Sequence, residues 1–224
     1  MRHELRPLVR PLSLRKVGRG ADALYSGAVG RVEIVAVITQ MGTVAAARAA
    51  ERVLDSGAID HLVVVGIAGG IGASVGIGDL VVPELVIGLS TGAQHQPVRL
   101  GEATPRGTLA TSDGLLEDRD EFLRLEKRGV IAIDMETSAV AAVCERRGCP
   151  WSVFRAISDR AGDPAIDSAV FGLARPDGGP NLPAIARFVS TRPWRLPKLA
   201  RLGRDMRTAT QVAATAAVAA IAKL

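Results

Sequence analysis

Two apolar runs that each end in acidic residues place the strongest constraint on how this chain can fold. The first, Ala132–Asp134, leads into Glu136 at the start of an alanine-rich segment, and the second, 153–157, ends in Ser158 and Asp159. This pattern predicts two buried strands joined by a helix. Because ligands of open α/β sheets bind at the carboxyl ends of the strands, the acidic residues predict a ligand site at that edge.

Strand and helix patterns alternate through about the first 160 residues. We predict strands at 32–38, 61–66, 78–83, 107–113 and 151–157, one more ending at 134, and helices at 43–55, 119–128, 136–147, 184–192 and 198–222. We also predict a short helix at 5–9 broken by Pro7 and Pro11, a turn at 68–72, a loop or irregular strand over 88–107 and a Pro- and Gly-rich loop at 175–183. The alternation predicts a three-layer α/β/α sandwich with a mostly parallel, twisted mixed sheet. Residues 1–165 would form the core, and the loop and helices of 166–224 would pack on it.

The composition is typical of a soluble globular protein, with 48% hydrophobic and 23% charged residues and a net charge of +5. No nucleic-acid-binding module is evident, and Arg2, Glu4 and Arg6 interrupt any amino-terminal signal peptide. Cys144 and Cys149 have no histidine nearby, so we expect no metal site. A disulfide between them remains an alternative, but free thiols in a cytoplasmic protein are favoured.

The motifs Asp-Met-Glu at 134–136 and Arg-Ala-Ile-Ser-Asp at 155–159 resemble the signature of the nucleoside phosphorylase superfamily. They are most similar to the branch that holds the methylthioadenosine/adenosylhomocysteine nucleosidases. The glycine pattern at 63–70 fits the same family, and the resemblance covers roughly 1–165. It implies hydrolysis of the N-ribosidic bond of a 5′-modified purine nucleoside, with no cofactor, in a cytoplasmic homodimer.

The resemblance implies roles for the residues at the two strand ends. Glu136 would accept hydrogen bonds from both ribose hydroxyls, with Met135 packing against the sugar. Asp159 would protonate purine N7 as the glycosidic bond breaks, with Ser158 orienting its carboxyl. The alternative interpretations are structural: Glu136 would favour a helix N-terminus, and Asp159 would cap the following helix.

The amino-terminal segment resembles the part of the family that follows its first strand. Glu4 would then activate the attacking water, although it can also be read as a solvated charge. The strand that precedes this segment in the family is missing from the sequence, which indicates either a start codon placed too late or a sheet built without that strand. Arg155 would point into the site and need anionic partners, with Glu4 as a candidate.

Two apolar positions favour water over phosphate as the nucleophile. Phosphorolytic relatives carry an Arg and a Ser where this chain has Val64 and Ile67, neither of which has a donor side chain. Backbone amides near Gly42 and Gly69 remain as weak anion donors. Phosphorolysis and a nucleoside-binding protein without catalysis are the two alternative functions.

The base-binding segment and the basic tail complete the predicted site. Leu115 and Leu116 occupy the place where nucleosidases carry an aromatic side chain for the base, and Asp113 would orient this segment. Six basic residues within 192–207 resemble the tail of hopanoid-associated members of the superfamily, which act on adenosyl-linked lipid. They predict weak contact with a membrane surface, and a solvated helix is the alternative.

Overall fold

The computed structural model describes residues 2–18, 20, 23–163, 168–173, 175, 179 and 181–224. Its helices are α1 (Arg2–Val9), α2 (Thr43–Asp55), α3 (Arg119–Lys127), α4 (Thr137–Arg147), α5 (Ser168–Phe171), α6 (Leu182–Thr191) and α7 (Leu196–Ile221), with a 3₁₀ turn at Pro193–Arg195. Its strands are β1 (Arg15–Val17), β2 (Leu24–Val29), β3 (Val32–Val37), β4 (Leu62–Gly70), β5 (Leu80–Val81), β6 (Leu85–Gly88), β7 (Gln94–His95), β8 (Thr108–Thr111), β9 (Val130–Asp134) and β10 (Trp151–Arg160).

A mixed sheet in the order β5-β10-β4-β9-β8-β6-β7 forms the central layer. Parallel pairing joins β10 to β4, β6 to β8 and β8 to β9. At the two edges of the sheet, β5 pairs antiparallel with β10, and β7 pairs antiparallel with β6. Strand β10 is buried from Trp151 to Ser158, as expected for a central strand with both faces covered. The mostly parallel α/β architecture predicted from the sequence is confirmed.

Helices cover both faces of the central sheet. Helices α2 and α4 contribute Ala50, Val53 and Val140 to the apolar cluster on one face. Helix α7 packs on β10 and β4 from the opposite face. Its buried residues Ala209, Ala213 and Ala217 recur every four positions, so their small side chains form one stripe that lets the helix approach the strands closely.

Two sequence-based predictions about local structure are wrong. Pro7 lies inside α1 and does not break it, because Leu5, Leu8 and Leu12 hold the segment in an apolar cluster with α7. The turn predicted at 68–72 is instead the end of β4, where Gly69 and Gly70 pair with strands on both sides. The region 88–107, predicted as a loop or irregular strand, contains the short strand β7, which pairs with β6.

A second, three-stranded antiparallel sheet in the order β1-β2-β3 lies beside β4. The strand β2 was missed by the sequence analysis, because its segment mixes Tyr25, Ser26 and Gly27 without a strict apolar alternation. Of the loop predicted at 175–183, residues 176–178 and 180 lie outside the described residues, and α6 already begins at Leu182. Within the part of the chain that is described, no helix is long and apolar enough to cross a membrane.

Candidate active site

Asp134 organises the junction between β9 and α4. Its Oδ1 accepts hydrogen bonds from the backbone N–H groups of Glu136 (3.4 Å) and Thr137 (3.3 Å), and so satisfies donors at the start of the helix. The same oxygen accepts from the hydroxyl of Thr111, on β8, at 2.7 Å. The Asp134 side chain is 1% exposed. It therefore serves to fix the start of α4, and Glu136 is the N-cap residue of that helix.

A buried guanidinium links this junction to β10. Arg155 Nη2 lies 2.5 Å from Asp134 Oδ2 and 3.2 Å from Glu136 Oε2. It also donates to the hydroxyl of Thr137 at 3.1 Å, and Nη1 donates to the carbonyl of Ile67 at 3.3 Å. Arg155 is 4% exposed, so these contacts compensate a charge that has little access to water.

Glu4 approaches the same cluster from α1. Its Oε1 accepts a hydrogen bond of 3.1 Å from the backbone N–H of Ile67. A Cβ atom added to Gly66 would lie 2.5 Å from that oxygen and 2.4 Å from Arg155 Nη1, so only glycine leaves room for both groups. Burial opposes the charge on Glu4, but the positive charges of the amino terminus and of Arg155 bring the pKa of its carboxyl below its ordinary value.

The carboxyl of Glu136 also faces this cluster, but its ionised form is less favoured than that of Glu4. Burial raises the pKa of its carboxyl, and the neighbouring carboxylates of Asp134 and Glu4 raise it further, while Arg155 opposes the rise. The backbone N–H of Gly42, just before α2, donates to Glu136 Oε1 at 3.3 Å. Besides Glu4, the partner predicted from the sequence, Arg155 therefore has two carboxylate partners that were not predicted, Asp134 and Glu136.

A second acidic group lies further along β10. Ser158 donates a short hydrogen bond to Asp159 Oδ1, and Ser158 itself is 2% exposed. Burial raises the pKa of the Asp159 carboxyl; the bond from Ser158 opposes this, and the charge of Asp163 adds to it. Asp159 lies within the strand, beside Gly69 of β4, and not at the start of a helix. The helix-cap interpretation of Asp159 is therefore wrong.

The loop after β8 is tied to the start of α2. The hydroxyl of Thr43 donates to Asp113 Oδ1 at 2.8 Å, and hydrogen bonds from Ser90 and Thr43 lower the pKa of Asp113. This loop carries Leu115 and Leu116, which are both half-buried, and Leu116 packs against an apolar cluster of the sheet. The loop therefore connects to Glu136 through the adjacent segment at Gly42.

The two positions compared with phosphate-binding residues in the sequence analysis carry half-buried apolar side chains. Val64 packs against the α2–α4 face of the sheet, and Ile67 packs against the α7 face. The backbone N–H of Ile67 is already bound by Glu4. Among the described residues, no group of three or more His, Cys, Asp or Glu side chains is placed to hold a metal ion.

Comparison with known proteins identifies the family. The family model described as the phosphorylase superfamily matches residues 1–98 and 87–187. The chain belongs to the phosphorylase superfamily. Among curated members, the 5′-methylthioadenosine/S-adenosylhomocysteine nucleosidase of Geobacillus kaustophilus is 30% identical over 167 residues, which cover 61% of this chain and 71% of the relative. The enzyme of the same name from Anoxybacillus flavithermus is 28% identical over 170 residues, which cover 62% of this chain and 73% of that enzyme.

Solved structures share the fold of this chain. The crystal structure of 5′-methylthioadenosine/S-adenosylhomocysteine nucleosidase from Neisseria meningitidis, in complex with methylthio-immucillin-A, has a TM-score of 0.76 at 18% identity and covers 100% of this chain and 96% of that one. Futalosine hydrolase of Helicobacter pylori has a TM-score of 0.74 at 16% identity and covers 100% and 95%. At these identities the likeness establishes the fold alone.

Three residues of this superfamily member were not singled out by the sequence analysis. Thr111 and Thr137 complete the hydrogen bonds of Asp134, and Gly66 makes room for Glu4 and Arg155. Gly66 lies inside the glycine pattern that carried the resemblance, so a signal existed. The two threonines carry no signal, because their role depends on contacts between β8, β9 and α4.

Proposed function

We propose that this protein is a purine nucleosidase that hydrolyses the N-ribosidic bond of a 5′-modified adenosine such as 5′-methylthioadenosine. The observation that carries the proposal is the Asp159 carboxyl at the sheet edge, whose pKa burial raises and which Ser158 holds in place. A carboxyl with a raised pKa stays protonated to a higher pH and can therefore act as a general acid. The named activity of the curated relatives agrees with this chemistry.

The leaving base is the part of the substrate that Asp159 acts on. Its proton is transferred to N7 of the purine while the bond between the base and the ribose breaks, so the electron pair of that bond stays on a neutral base. Ser158 donates to the oxygen that does not carry the proton and keeps the carboxyl oriented. Leu115, and Leu116 beside it, supply apolar surface for the purine face from the loop after β8.

The ribose binds at the start of α4. Glu136 accepts hydrogen bonds from the two vicinal hydroxyls, and Met135 contributes apolar contact to the sugar. Arg155 holds one Glu136 oxygen at 3.2 Å and keeps the side chain in one orientation. The backbone near Gly69, beside Asp159 on the adjacent strand, limits the space around the bond that breaks.

Water is the nucleophile in this proposal, with Glu4 accepting its proton. Three carboxylates, those of Glu4, Asp134 and Glu136, surround the single guanidinium of Arg155, so the cluster disfavours an additional anion such as phosphate. The lowered pKa of Glu4 keeps its carboxylate ionised before the reaction. The side chains of Val64 and Ile67 offer no donor to phosphate.

The test is product analysis in phosphate-free buffer. The purified chain should convert 5′-methylthioadenosine and water to adenine and free 5-methylthioribose, and Asp159→Asn should lose about 10²–10⁴-fold in turnover. An absolute requirement for phosphate, with a sugar 1-phosphate product, would establish phosphorolysis. Binding of the nucleoside without any cleavage would establish the non-catalytic alternative.

A lipid-linked adenosyl substrate is a second candidate, favoured by the surface near the start of α7. Trp194 is 71% exposed, and the cations of Lys198, Arg201, Arg204 and Arg207 are exposed on the same segment. An exposed indole beside basic side chains is suited to an anionic membrane surface.

Sedimentation with vesicles tests the membrane contact. The chain should sediment with phosphatidylserine-containing vesicles at low salt and be released at high salt, because each basic residue near the surface contributes about 1 kcal/mol that salt screens. Trp194→Ala should weaken this binding, and exposed Leu123→Ala on α3 is the matched control. No sedimentation at low salt would remove the support for a lipid-linked substrate.

The cellular setting and assembly belong to the same proposal. We propose a cytoplasmic homodimer, with the core of 1–165 and the helices of 166–224 acting as one unit. Both cysteines are free thiols, and burial raises the pKa of Cys144 to about 12, which suits a reducing compartment. Analytical ultracentrifugation measures the assembly, and a monomer at micromolar concentration would contradict the dimer.

A further inference from the structure

Strand β10 carries one residue more than its partner β4 at the point where both strands reach the site. Ile157 pairs with Ala68 of β4. The next residue of β4, Gly69, pairs with Asp159, so Ser158 is an extra residue without a counterpart on β4. Such a residue forms a β-bulge, which bends its strand and redirects the side chains that follow. The direction of the Asp159 carboxyl therefore depends on how the end of β10 is held.

Backbone hydrogen bonds hold β10 on both sides of this bulge. The N–H of Ala161, just after the strand, donates to the carbonyl of Gly70 at the end of β4 at 2.9 Å. On the other edge, the N–H of Ile157 donates to the carbonyl of Asp79 at 3.0 Å. Asp79 belongs to the segment 71–79 between β4 and β5, which we call the edge loop. The position of the edge loop therefore helps to set the path of β10 through the bulge.

Arg160, the last residue of β10, ties the edge loop to this strand end. Its Nη1 donates to the carbonyl of Gly72 at 2.6 Å, and its Nη2 donates to the carbonyl of Val75 at 3.1 Å. Hydrogen bonds from a charged donor are stronger than those from a neutral one, and the planar guanidinium presents its N–H groups in a fixed geometry. One side chain therefore fastens two points of the edge loop to β10.

The guanidinium of Arg160 acts on Asp159 through the backbone and not through its charge. Neighbouring side chains of a strand point to opposite faces, and this guanidinium lies at the edge loop. A cation close to the Asp159 carboxyl would lower the pKa of that group, whereas its pKa is raised, chiefly by burial. Arg160 thus directs its charge away from the acid while its own backbone stays next to it.

We propose that Arg160 is a positioning residue for the general acid: it holds the edge loop against the end of β10, keeps the bulge at Ser158 in place, and so fixes the carboxyl of Asp159 at N7 of the purine. This role depends on the proposed function of Asp159 as the acid. Without Arg160 the carboxyl is still present but is no longer held in one position, and a misplacement of about 1 Å can cost on the order of 100-fold in rate. The loss should fall on kcat, because the acid acts only as the bond breaks.

The experiment compares two leaving groups in Arg160→Met, which keeps an unbranched side chain and removes the donors. The substrates are 5′-methylthioadenosine and a riboside with the same 5′-methylthio group and p-nitrophenolate as the leaving group. Because p-nitrophenolate leaves as a stabilised anion, its release does not need the acid. Arg160→Met should lower kcat for 5′-methylthioadenosine by about 10-fold or more, with KM changed by less than about twofold, and should leave the rate with the p-nitrophenyl riboside within about twofold of wild type.

Three variants serve as references. Arg99→Met is the matched control, because Arg99 also donates to a backbone carbonyl, that of Glu102 at 3.4 Å, but lies in the segment between β7 and β8. It should keep both rates. Asp159→Asn shows the pattern of a lost acid, with a large loss confined to the adenine substrate. Arg160→Lys retains one charged nitrogen and should recover part of kcat.

Equal slowing of both substrates in Arg160→Met, or slowing of neither, would overturn the proposal. If Arg160→Met does not fold, Arg160→Lys is compared with wild type in the same assay, where a loss confined to the adenine substrate supports the role and an equal or absent loss overturns it. If Asp159→Asn itself slows neither substrate or both alike, Asp159 is not the acid, and the proposed function fails together with this role. A selective loss in Asp159→Asn without one in Arg160→Met overturns the role of Arg160 alone.

Discussion

Replacement of Gly66 by alanine tests whether the glycine is required for the contact between α1 and the buried arginine. The new Cβ would lie 2.4 Å from Arg155 Nη1 and 2.5 Å from Glu4 Oε1, about 1 Å inside ordinary van der Waals contact. Arg155 is held by Asp134 and Glu136, so it has little freedom to move away. We therefore expect Glu4 to be displaced and its hydrogen bond to Ile67 to be lost.

The magnitude follows from the cost of overpacking. Extra atoms in a well-packed interior cost about 1–3 kcal/mol in the free energy of unfolding. The loss of backbone freedom in the unfolded chain offsets about 0.4–1 kcal/mol of this. For a chain of this size, each kcal/mol corresponds to about 2–4 °C in Tm, so Gly66→Ala should lower Tm by several degrees.

Two other glycines provide matched controls. A Cβ added to Gly57 meets nothing within 4 Å, and one added to Gly69 lies 3.4 Å from Asp159 Oδ2, an ordinary contact. Thermal unfolding and adenine release are measured for all three alanine variants. Gly57→Ala should keep Tm and turnover, and Gly69→Ala should keep Tm. If Gly66→Ala melts no lower than Gly57→Ala and cleaves substrate at the same rate, the proposed arrangement of Glu4 and Arg155 is wrong.

Four further predictions concern the acidic side chains and the groups that bind them. Glu136→Gln should weaken binding of adenosine far more than of adenine, because an amide N–H faces the ribose hydroxyls; equal losses in calorimetry would make Glu136 structural. Turnover should fall as pH rises through the raised pKa of Asp159, since the protonated carboxyl is the acid; a flat pH–rate profile would contradict this. Folding disfavours the ionised form of the Asp159 carboxyl, so the wild-type protein loses stability as pH rises through the raised pKa of Asp159. Above that pH, Asp159→Asn should have a higher Tm than the wild type. Thr111→Val should lower the free energy of unfolding by about 1–3 kcal/mol, because it leaves buried Asp134 with one hydrogen bond fewer; an unchanged denaturant midpoint would show that the bond contributes nothing.

The strands that lead to the site and its acidic motifs could be predicted from the sequence alone. The apolar runs of β10 and of the strand before Asp134 are local patterns, because a strand covered on both faces needs apolar side chains at most of its positions. Glycine at position 148 ends α4 in a left-handed conformation, which is again a local signal. Glu136 comes just after β9, and Asp159 is the last residue but one of β10, so their position at the carboxyl ends of these strands could be predicted.

The partners of the buried groups around Asp134, Arg155 and Glu4 could not be predicted from the sequence. Thr111 and Asp134 are 23 positions apart, and Glu4 and Ile67 are 63 apart, so no periodicity along the chain relates them. The same holds for the cavity that is lined by both β3 and β4, because these strands belong to separate sheets and do not pair in the described residues. Local patterns indicate whether a residue faces the core. The partners in a buried hydrogen-bond network depend instead on how elements distant in the sequence pack, and this packing arises only when the layers of the fold come together.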